Sequence, residues 1–154
     1  MVRQKTVLTT GAFEIVHPGH VYLLQYARRL AGKRGKVVVV LASDETIRNR
    51  KRREPVMNER ERLLVLSSIK YVDRVIMGYR PISFEKVMRR VRPDVVLFGY
   101  DQFAIEQEFR RFCEARGLRV EIRRAPRAPL TPNLSTTEVL NRAQRNVSSS
   151  EQFK

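Results

Sequence analysis

Apolar runs of strand length alternate along the chain with segments whose apolar residues recur at helical spacing. The clearest run, Val37–Ala42, is continuous and rich in β-branched residues, which is typical of a strand that is covered on both faces. Shorter runs of the same kind predict four more strands: Thr6–Thr10, Arg74–Met77, Val95–Phe98 and Leu118–Ile122.

Amphipathic segments between these runs predict helices. After Ser83, the residues Phe84, Val87, Met88 and Val91 fall on one helical face. The alternation of strands and helices predicts the α/β class, with a doubly wound, parallel five-stranded sheet and helices on both faces. The other predicted helices carry Val21, Leu24, Ala27 and Leu30; Leu63, Leu66 and Ile69, after an Asn58–Glu61 capping box; and Ile105, Phe109 and Phe112, before Gly117.

Length and composition predict a single domain. The chain has 154 residues, of which 42% are hydrophobic, and a chain of this length buries a core without disulfides. We expect one domain over residues 1–145 and a flexible polar tail over residues 146–154. No apolar run approaches the roughly 20 residues of a membrane span, and the lone Cys113 cannot form an internal disulfide. We therefore expect a soluble protein of the reducing cytoplasm with no membrane partner.

The charge is the unusual feature of the composition. The formal net charge is +15, and most of the basic residues are arginine. Such a charge predicts an anionic partner, which can be nucleic acid, an acidic membrane surface or a small polyphosphate. Arginine binds phosphate oxygens in a bidentate way, which favours a phosphate ligand. A basic surface that is simply solvated is the alternative.

The turn from the first predicted strand into the first predicted helix carries both histidines of the chain. Gly11 permits a tight turn, Pro18 suits a first helical turn, and Gly19 allows a ligand to approach the backbone. A helix start of this kind binds anions through its free N–H groups, and His17 and His20 can donate hydrogen bonds to phosphate oxygens. A capping histidine and a two-histidine zinc site are the alternatives, but further zinc ligands at suitable spacing are missing.

A second motif lies near the C-terminus, where Leu134–Arg142 reads as a helix start. Ser135 and Glu138 have the spacing of a capping box. Capping alone leaves the hydroxyls of Thr136 and Thr137, and the arginine two turns further on, without a role.

Together the two motifs resemble a known family. Gly11-Ala12-Phe13-Glu14 with His17-Pro18-Gly19-His20 is similar to the G-x-F-D-x-x-H-x-G-H signature of the cytidylyltransferase-like nucleotidyltransferases, with Glu14 in place of the usual aspartate. The segment from Ser135 to Arg142 resembles the family's second signature, I-S-S/T-T-x-I-x-x-R. The resemblance implies a Rossmann-like fold. It also implies a reaction in which a phosphate monoester attacks the α-phosphorus of a nucleoside triphosphate and pyrophosphate leaves.

The middle of the chain adds a basic run and a strand ending. Arg48–Arg53 has five basic residues in six, and the resemblance implies a mobile basic loop over the triphosphate. A nucleic-acid patch and a solvated loop are the alternatives. Gly99-Tyr100-Asp101-Gln102 resembles the G-x-D-Q of the archaeal FAD synthases within this family, which implies that Asp101 lies in the nucleotide pocket. A common turn after a strand is the alternative.

The resemblance as a whole implies transfer of AMP from ATP to FMN, which gives FAD and pyrophosphate. It implies Mg²⁺ or another divalent cation that bridges substrate phosphates, no metal-binding residue in the chain, and a homodimer. A cytidylyltransferase that uses CTP and glycerol 3-phosphate is the alternative within the family, and a non-catalytic nucleic-acid-binding module is the alternative from another class. The implied catalytic residues are His17 and His20. The implied nucleotide-binding residues are Thr10, Gly11, Ala12, Phe13, His17, Gly19, His20, Asp101, Ser135, Thr136 and Thr137. The implied phosphate-neutralising residues are Arg50, Lys51, Arg52, Arg62 and Arg142.

Overall fold

The computed structural model, which describes residues 3–130 and 133–150, is built from alternating strands and helices. The strands form one all-parallel sheet. The elements in chain order are β1 (Thr6–Gly11), α1 (Pro18–Ala31), β2 (Lys36–Leu41), α2 (Asp44–Lys51), α3 (Glu59–Ser67), β3 (Arg74–Met77), α4 (Phe84–Val91), β4 (Val95–Phe98), α5 (Phe103–Arg116), β5 (Glu121–Arg124) and α6 (Thr136–Ser150).

The order of the strands in the sheet is β3-β2-β1-β4-β5. Strand β1 is central, and Val7 pairs with Val37 of β2 on one side and with Val95 of β4 on the other. Each face of the sheet is covered by an apolar cluster. One cluster includes Leu24 of α1, and the other includes Phe109 of α5. The direction of winding reverses between β1 and β4, and ligands of open α/β sheets bind at the carboxyl ends of the strands at such a point.

The predicted α/β class and parallel five-stranded sheet are confirmed, but two segments differ from the prediction. Strand β5 begins at Glu121 because Leu118 completes the end of α5, where its N–H donates to the Cys113 carbonyl at 2.9 Å. Most of the predicted basic loop is instead the helix α2. Ser43 caps this helix by accepting a hydrogen bond from the Thr46 N–H.

The end of the chain also differs from the prediction. Helix α6 continues through Ser150, so residues 146–150 of the predicted tail are helical, with exposed side chains. Residues 151–154 lie outside the described residues, and the flexibility of the tail stays a prediction. In the part of the chain that the structure describes, no helix has the length and apolar character that crossing a membrane requires.

Candidate active site

The turn between β1 and α1 is shaped by a buried phenylalanine. Phe13 has a backbone φ of 46° and is 2% exposed, and a non-glycine residue in this region of conformational space carries strain. A Cβ on Gly11 would lie 2.9 Å from the Phe13 ring. Position 11 therefore requires glycine because the Phe13 ring occupies the space of a side chain. The same ring packs against the imidazole of His20, with centroids 4.9 Å apart.

The two histidines open helix α1 as a reciprocal cap. The Nδ1 atom of His17 accepts the Gly19 N–H at 3.1 Å, and the Nδ1 atom of His20 accepts the His17 N–H at 3.3 Å. The ring centroids of the two histidines are 3.9 Å apart. Capping therefore accounts for one nitrogen of each ring and fixes the orientation of both.

Burial favours the neutral form of both imidazoles. Burial, together with the neighbouring His17, lowers the pKa of His20 to about 3, although a contact with the Ile15 carbonyl opposes the shift. Burial also lowers the pKa of His17 from its usual value, against the opposing charge of Asp101. A neutral ring whose Nδ1 atom accepts a hydrogen bond carries its proton on Nε2. Each ring thus has one N–H group that the cap does not use, although the Ile15 carbonyl also lies near the His20 ring.

The second motif starts α6 beside the histidine turn. The backbone carbonyl of Leu134 comes close to Gly19, at 3.6 Å from the position of an added Cβ. Ser135 Oγ accepts the Glu138 N–H at 3.1 Å, as predicted. The predicted second hydrogen bond of the capping box, from the Ser135 N–H to the Glu138 carboxylate, is wrong. That carboxylate pairs with Arg142 and Arg145 instead.

The two motifs line one cleft of about 340 Å³, which we call the histidine cleft. Every residue that the sequence predicted to bind nucleotide lies on its wall: Thr10, Gly11, Ala12, Phe13, His17, Gly19, His20, Asp101, Ser135, Thr136 and Thr137. The cleft has further lining residues that were not predicted from the sequence, including Tyr22, Tyr100, Gln102, Ala125, Pro126 and Ala128. Tyr100 and Gln102 belong to the Gly-Tyr-Asp-Gln segment at the end of β4, and the other four residues belong to no motif.

Lys51 is the member of the basic run that reaches the histidine cleft. Its Nζ atom lies 2.8 Å from Oε2 of Glu14, whose side chain is 0% exposed. The guanidinium of Arg53 binds both oxygens of the same carboxylate, at 2.8 and 2.7 Å. Burial alone would raise the pKa of Glu14, but the hydrogen bonds from Arg53 and Lys51 outweigh it and lower the pKa to about 2. The carboxylate of the histidine turn therefore fixes the end of α2 and places a lysine at the cleft.

Other basic residues of the run lie elsewhere. Arg48 pairs with Glu54, and Arg50 pairs with Glu108 of α5. Arg52 is exposed at the end of α2, where its φ is 56°. Arg48 and Arg50 are therefore each paired with a glutamate at a partly exposed position.

Two predicted phosphate-binding arginines occupy structural positions. Arg62 is 0% exposed and donates to the carbonyls of Ala12, Ala42 and Met57 at 2.8–3.0 Å, and to Asp44 at 2.7 Å. This position does not favour its predicted role in neutralising pyrophosphate, because its donors bind backbone carbonyls and Asp44. Arg142 pairs with Glu138 on the surface of α6 and does not line the histidine cleft.

A second cavity, of about 200 Å³, opens on the other side of the carboxyl end of β1. We call it the apolar cavity because its lining is mainly apolar, with Val40, Val87, Phe84, Phe98, Ile105 and Phe109 among its residues.

The two cavities have five residues in common, and these form what we call the shared wall: Thr10, Gly11, Ala12, Lys51 and Gln102. Gln102 links the ends of β1 and β4 within this wall. Its side chain donates to the Thr10 carbonyl at 3.0 Å and accepts the Gly99 N–H at 2.7 Å.

Metal-binding side chains are not clustered in this region. Within residues 3–130 and 133–150, no group of three or more His, Cys, Asp or Glu side chains could hold a metal ion. Asp101 is the carboxylate on the wall of the histidine cleft. One carboxylate beside a phosphate chain suits Mg²⁺, which commonly combines one or two carboxylates with substrate phosphates and water.

Comparison with known proteins agrees with this arrangement. Residues 8–142 match the family described as Cytidylyltransferase-like. The chain belongs to the cytidylyltransferase-like family. The resemblance drawn from the two motifs is thereby confirmed, and the protein is a nucleotidyltransferase.

Relatives within this family are similar to the chain over most of its length. The FAD synthase of Methanopyrus kandleri is 44% identical over 138 residues, which cover 90% of this chain and 91% of that protein. The FAD synthase of Korarchaeum cryptofilum is 45% identical over 123 residues, which cover 80% of this chain and 82% of that protein. A crystal structure of a lipopolysaccharide core biosynthesis protein from Thermoplasma volcanium has a TM-score of 0.70 and 35% identity, and the match covers 79% of this chain and 96% of that one. The Rossmann-like fold is confirmed by this likeness.

Proposed function

We propose that the protein transfers the AMP moiety of ATP to FMN and releases pyrophosphate, so that FAD is formed. The observation that carries this proposal is the pair of cavities joined by the shared wall. A triphosphate in the histidine cleft and the flat aromatic ring of FMN in the apolar cavity would bring the phosphates of the two substrates together at Lys51 and the end of β1. The similarity to archaeal proteins named FAD synthase supports the same substrates.

The reaction needs no covalent enzyme intermediate. A phosphate oxygen of FMN would attack the α-phosphorus of ATP, and the bond from that phosphorus to the bridging oxygen of pyrophosphate would break. Catalysis then consists of holding the two reactants in line and stabilising the charge that develops between them. The residues required are hydrogen-bond donors and cations rather than a nucleophile.

The groups in the histidine cleft supply this stabilisation. His17 and His20 would each donate through the Nε2–H of a neutral ring to an oxygen of the transferring phosphate. The N-terminal turns of α1 and α6 would bind the remaining phosphates through free backbone N–H groups. Lys51, fixed by Glu14, would place a positive charge at the shared wall.

Asp101 would help to hold a divalent cation in the histidine cleft, in contrast to the expectation that the chain contributes no metal-binding residue. The cation would supply positive charge that neutralises the triphosphate. The substrates in this proposal are small molecules that carry phosphate. The location of the protein in the cytoplasm stays a prediction.

The lining of the apolar cavity favours FMN over glycerol 3-phosphate as the acceptor. Phe84, Phe98 and Phe109 give the cavity an aromatic surface from which a small polyol gains little, while Thr46, Tyr79 and Ser83 of the same lining can bind polar groups of the acceptor. An isoalloxazine ring gains from contact with aromatic side chains.

Pyrophosphate release measured with each combination of ATP or CTP and FMN or glycerol 3-phosphate tests the proposal. We expect release with ATP and FMN, together with a product that has the chromatographic retention of FAD. Release with CTP and glycerol 3-phosphate, and none with ATP and FMN, would overturn it in favour of the cytidylyltransferase.

A further inference from the structure

Arg50 lies on the apolar cavity and not on the histidine cleft. Among the described residues, the cations that line the apolar cavity are Arg50 and Lys51, and Lys51 also belongs to the shared wall. Arg50 is therefore the cation on the acceptor's side of that wall. Its predicted role toward the leaving pyrophosphate does not fit this position, because the triphosphate belongs in the other cleft.

The two cations are held in different ways. Lys51 binds Glu14, a buried carboxylate that would lose one of its two cationic partners if Lys51 moved away. Arg50 binds Glu108 of α5 at 2.9 Å, with side chains that are 41% and 42% exposed. Water can replace either partner of an ion pair this exposed, so the pair contributes little to stability. Arg50 is thus free to exchange its partner, whereas Lys51 is fixed.

An acceptor that enters the apolar cavity carries a phosphate that needs a cation. The guanidinium group binds phosphate through parallel hydrogen bonds, a geometry that the ammonium group of Lys51 cannot provide. We propose that Arg50 is a specificity-determining residue that releases Glu108 and binds the phosphate of the acceptor. This inference rests on the proposed function, because it takes the acceptor to be FMN in the apolar cavity.

Comparing FMN with riboflavin tests the inference, because riboflavin has the same ring and lacks the phosphate. Dissociation constants would be measured from the quenching of flavin fluorescence, with no triphosphate present. We expect Arg50→Ala to weaken FMN binding about tenfold to a hundredfold, the range for a lost charged hydrogen bond, and to change riboflavin binding less than about twofold. Glu108→Gln should strengthen FMN binding a few-fold, because it removes the competitor for Arg50, and should leave riboflavin binding unchanged.

Arg48→Ala is the matched control. Arg48 is on the same helix, pairs with Glu54 and lines neither cavity, so this variant should bind both flavins as the wild type does. Unchanged FMN binding in Arg50→Ala, or an equal loss for FMN and riboflavin, would overturn the role of Arg50. A wild-type protein that binds neither flavin would overturn the proposed function itself, and with it this inference.

Discussion

The imidazole rings of His17 and His20 lie 3.9 Å apart, centroid to centroid, and each uses its Nδ1 atom in the cap of helix α1. Two charged rings would repel each other at this distance. The lowered pKa values of both groups agree with a neutral pair. The cap and the proposed catalytic donors are therefore different nitrogens of the same side chains, and their contributions can be separated by substitution.

His17→Asn is expected to keep the helix cap and lose the donor toward phosphate, because asparagine is an effective N-cap residue. We expect kcat to fall about 10²- to 10³-fold, as for loss of one preorganised donor, while the melting temperature stays within a few degrees. His17→Ala should show the same fall in kcat and, in addition, a loss of about 1 kcal/mol in the free energy of unfolding. Near-normal kcat in His17→Asn would contradict the catalytic role of that ring.

The Glu14 carboxylate is expected to contribute to stability through Lys51 and Arg53. Glu14→Gln leaves two partly buried cations without their anion, and we expect a loss of about 2 kcal/mol in the free energy of unfolding, measured with urea. Glu108→Gln removes one exposed pair with Arg50 and should cost less than about 1 kcal/mol. Equal losses in the two variants would show that burial of Glu14 has no energetic consequence.

Arg62 is expected to act on folding rather than on phosphate binding. Arg62→Met leaves Asp44 and three backbone carbonyls without their donor, and we expect the free energy of unfolding to fall by about 3–5 kcal/mol. The control is Arg60→Met, on the exposed face of the same helix, which should change stability by less than about 0.5 kcal/mol. An Arg62→Met protein that melts normally but binds ATP poorly would support the original prediction instead.

The free energy of unfolding should fall as the pH drops below 6.5. The pKa of His20 is about 3 in the folded protein and near 6.5 in an unfolded chain, so the unfolded state binds the extra proton first. His20 then contributes a loss of about 1.4 kcal/mol per pH unit in this window, and His17 adds to it in the same direction. Unfolding measured between pH 7 and pH 5 should show a smaller slope in His20→Gln, and an unchanged slope would contradict the assignment. Glu14 begins to bind a proton in the unfolded state only near pH 5, so its contribution is small over most of this range.

The sheet could be predicted because β2 and β4 are apolar on both faces and most of the helices between the strands are amphipathic. The bounds of β3 and β4 match the prediction, whereas β5 is an edge strand whose side chains are mostly exposed. Its weak apolar signal allowed Leu118 to be assigned to the strand. Helix α2 was missed because its basic residues have no apolar periodicity apart from Ile47, the buried residue of that helix.

The histidine cleft could be predicted because its residues stand in two contiguous motifs. The ion pairs of the basic run could not be predicted. Glu14 and Glu108 lie far from the run in sequence and become its partners only through the fold. Charge alone likewise gave no means of distinguishing the buried Arg62 from arginines on the surface. The apolar cavity is formed mainly by apolar side chains from separate elements, and these side chains lie outside the motifs.

A crystal structure with FMN and the non-transferable analogue α,β-methylene-ATP would test the central claim most directly. We predict the triphosphate in the histidine cleft, the flavin ring in the apolar cavity, and an FMN phosphate oxygen about 3.5 Å from the α-phosphorus, beside Lys51. A flavin bound outside the apolar cavity, or a nucleotide away from His17 and His20, would contradict it.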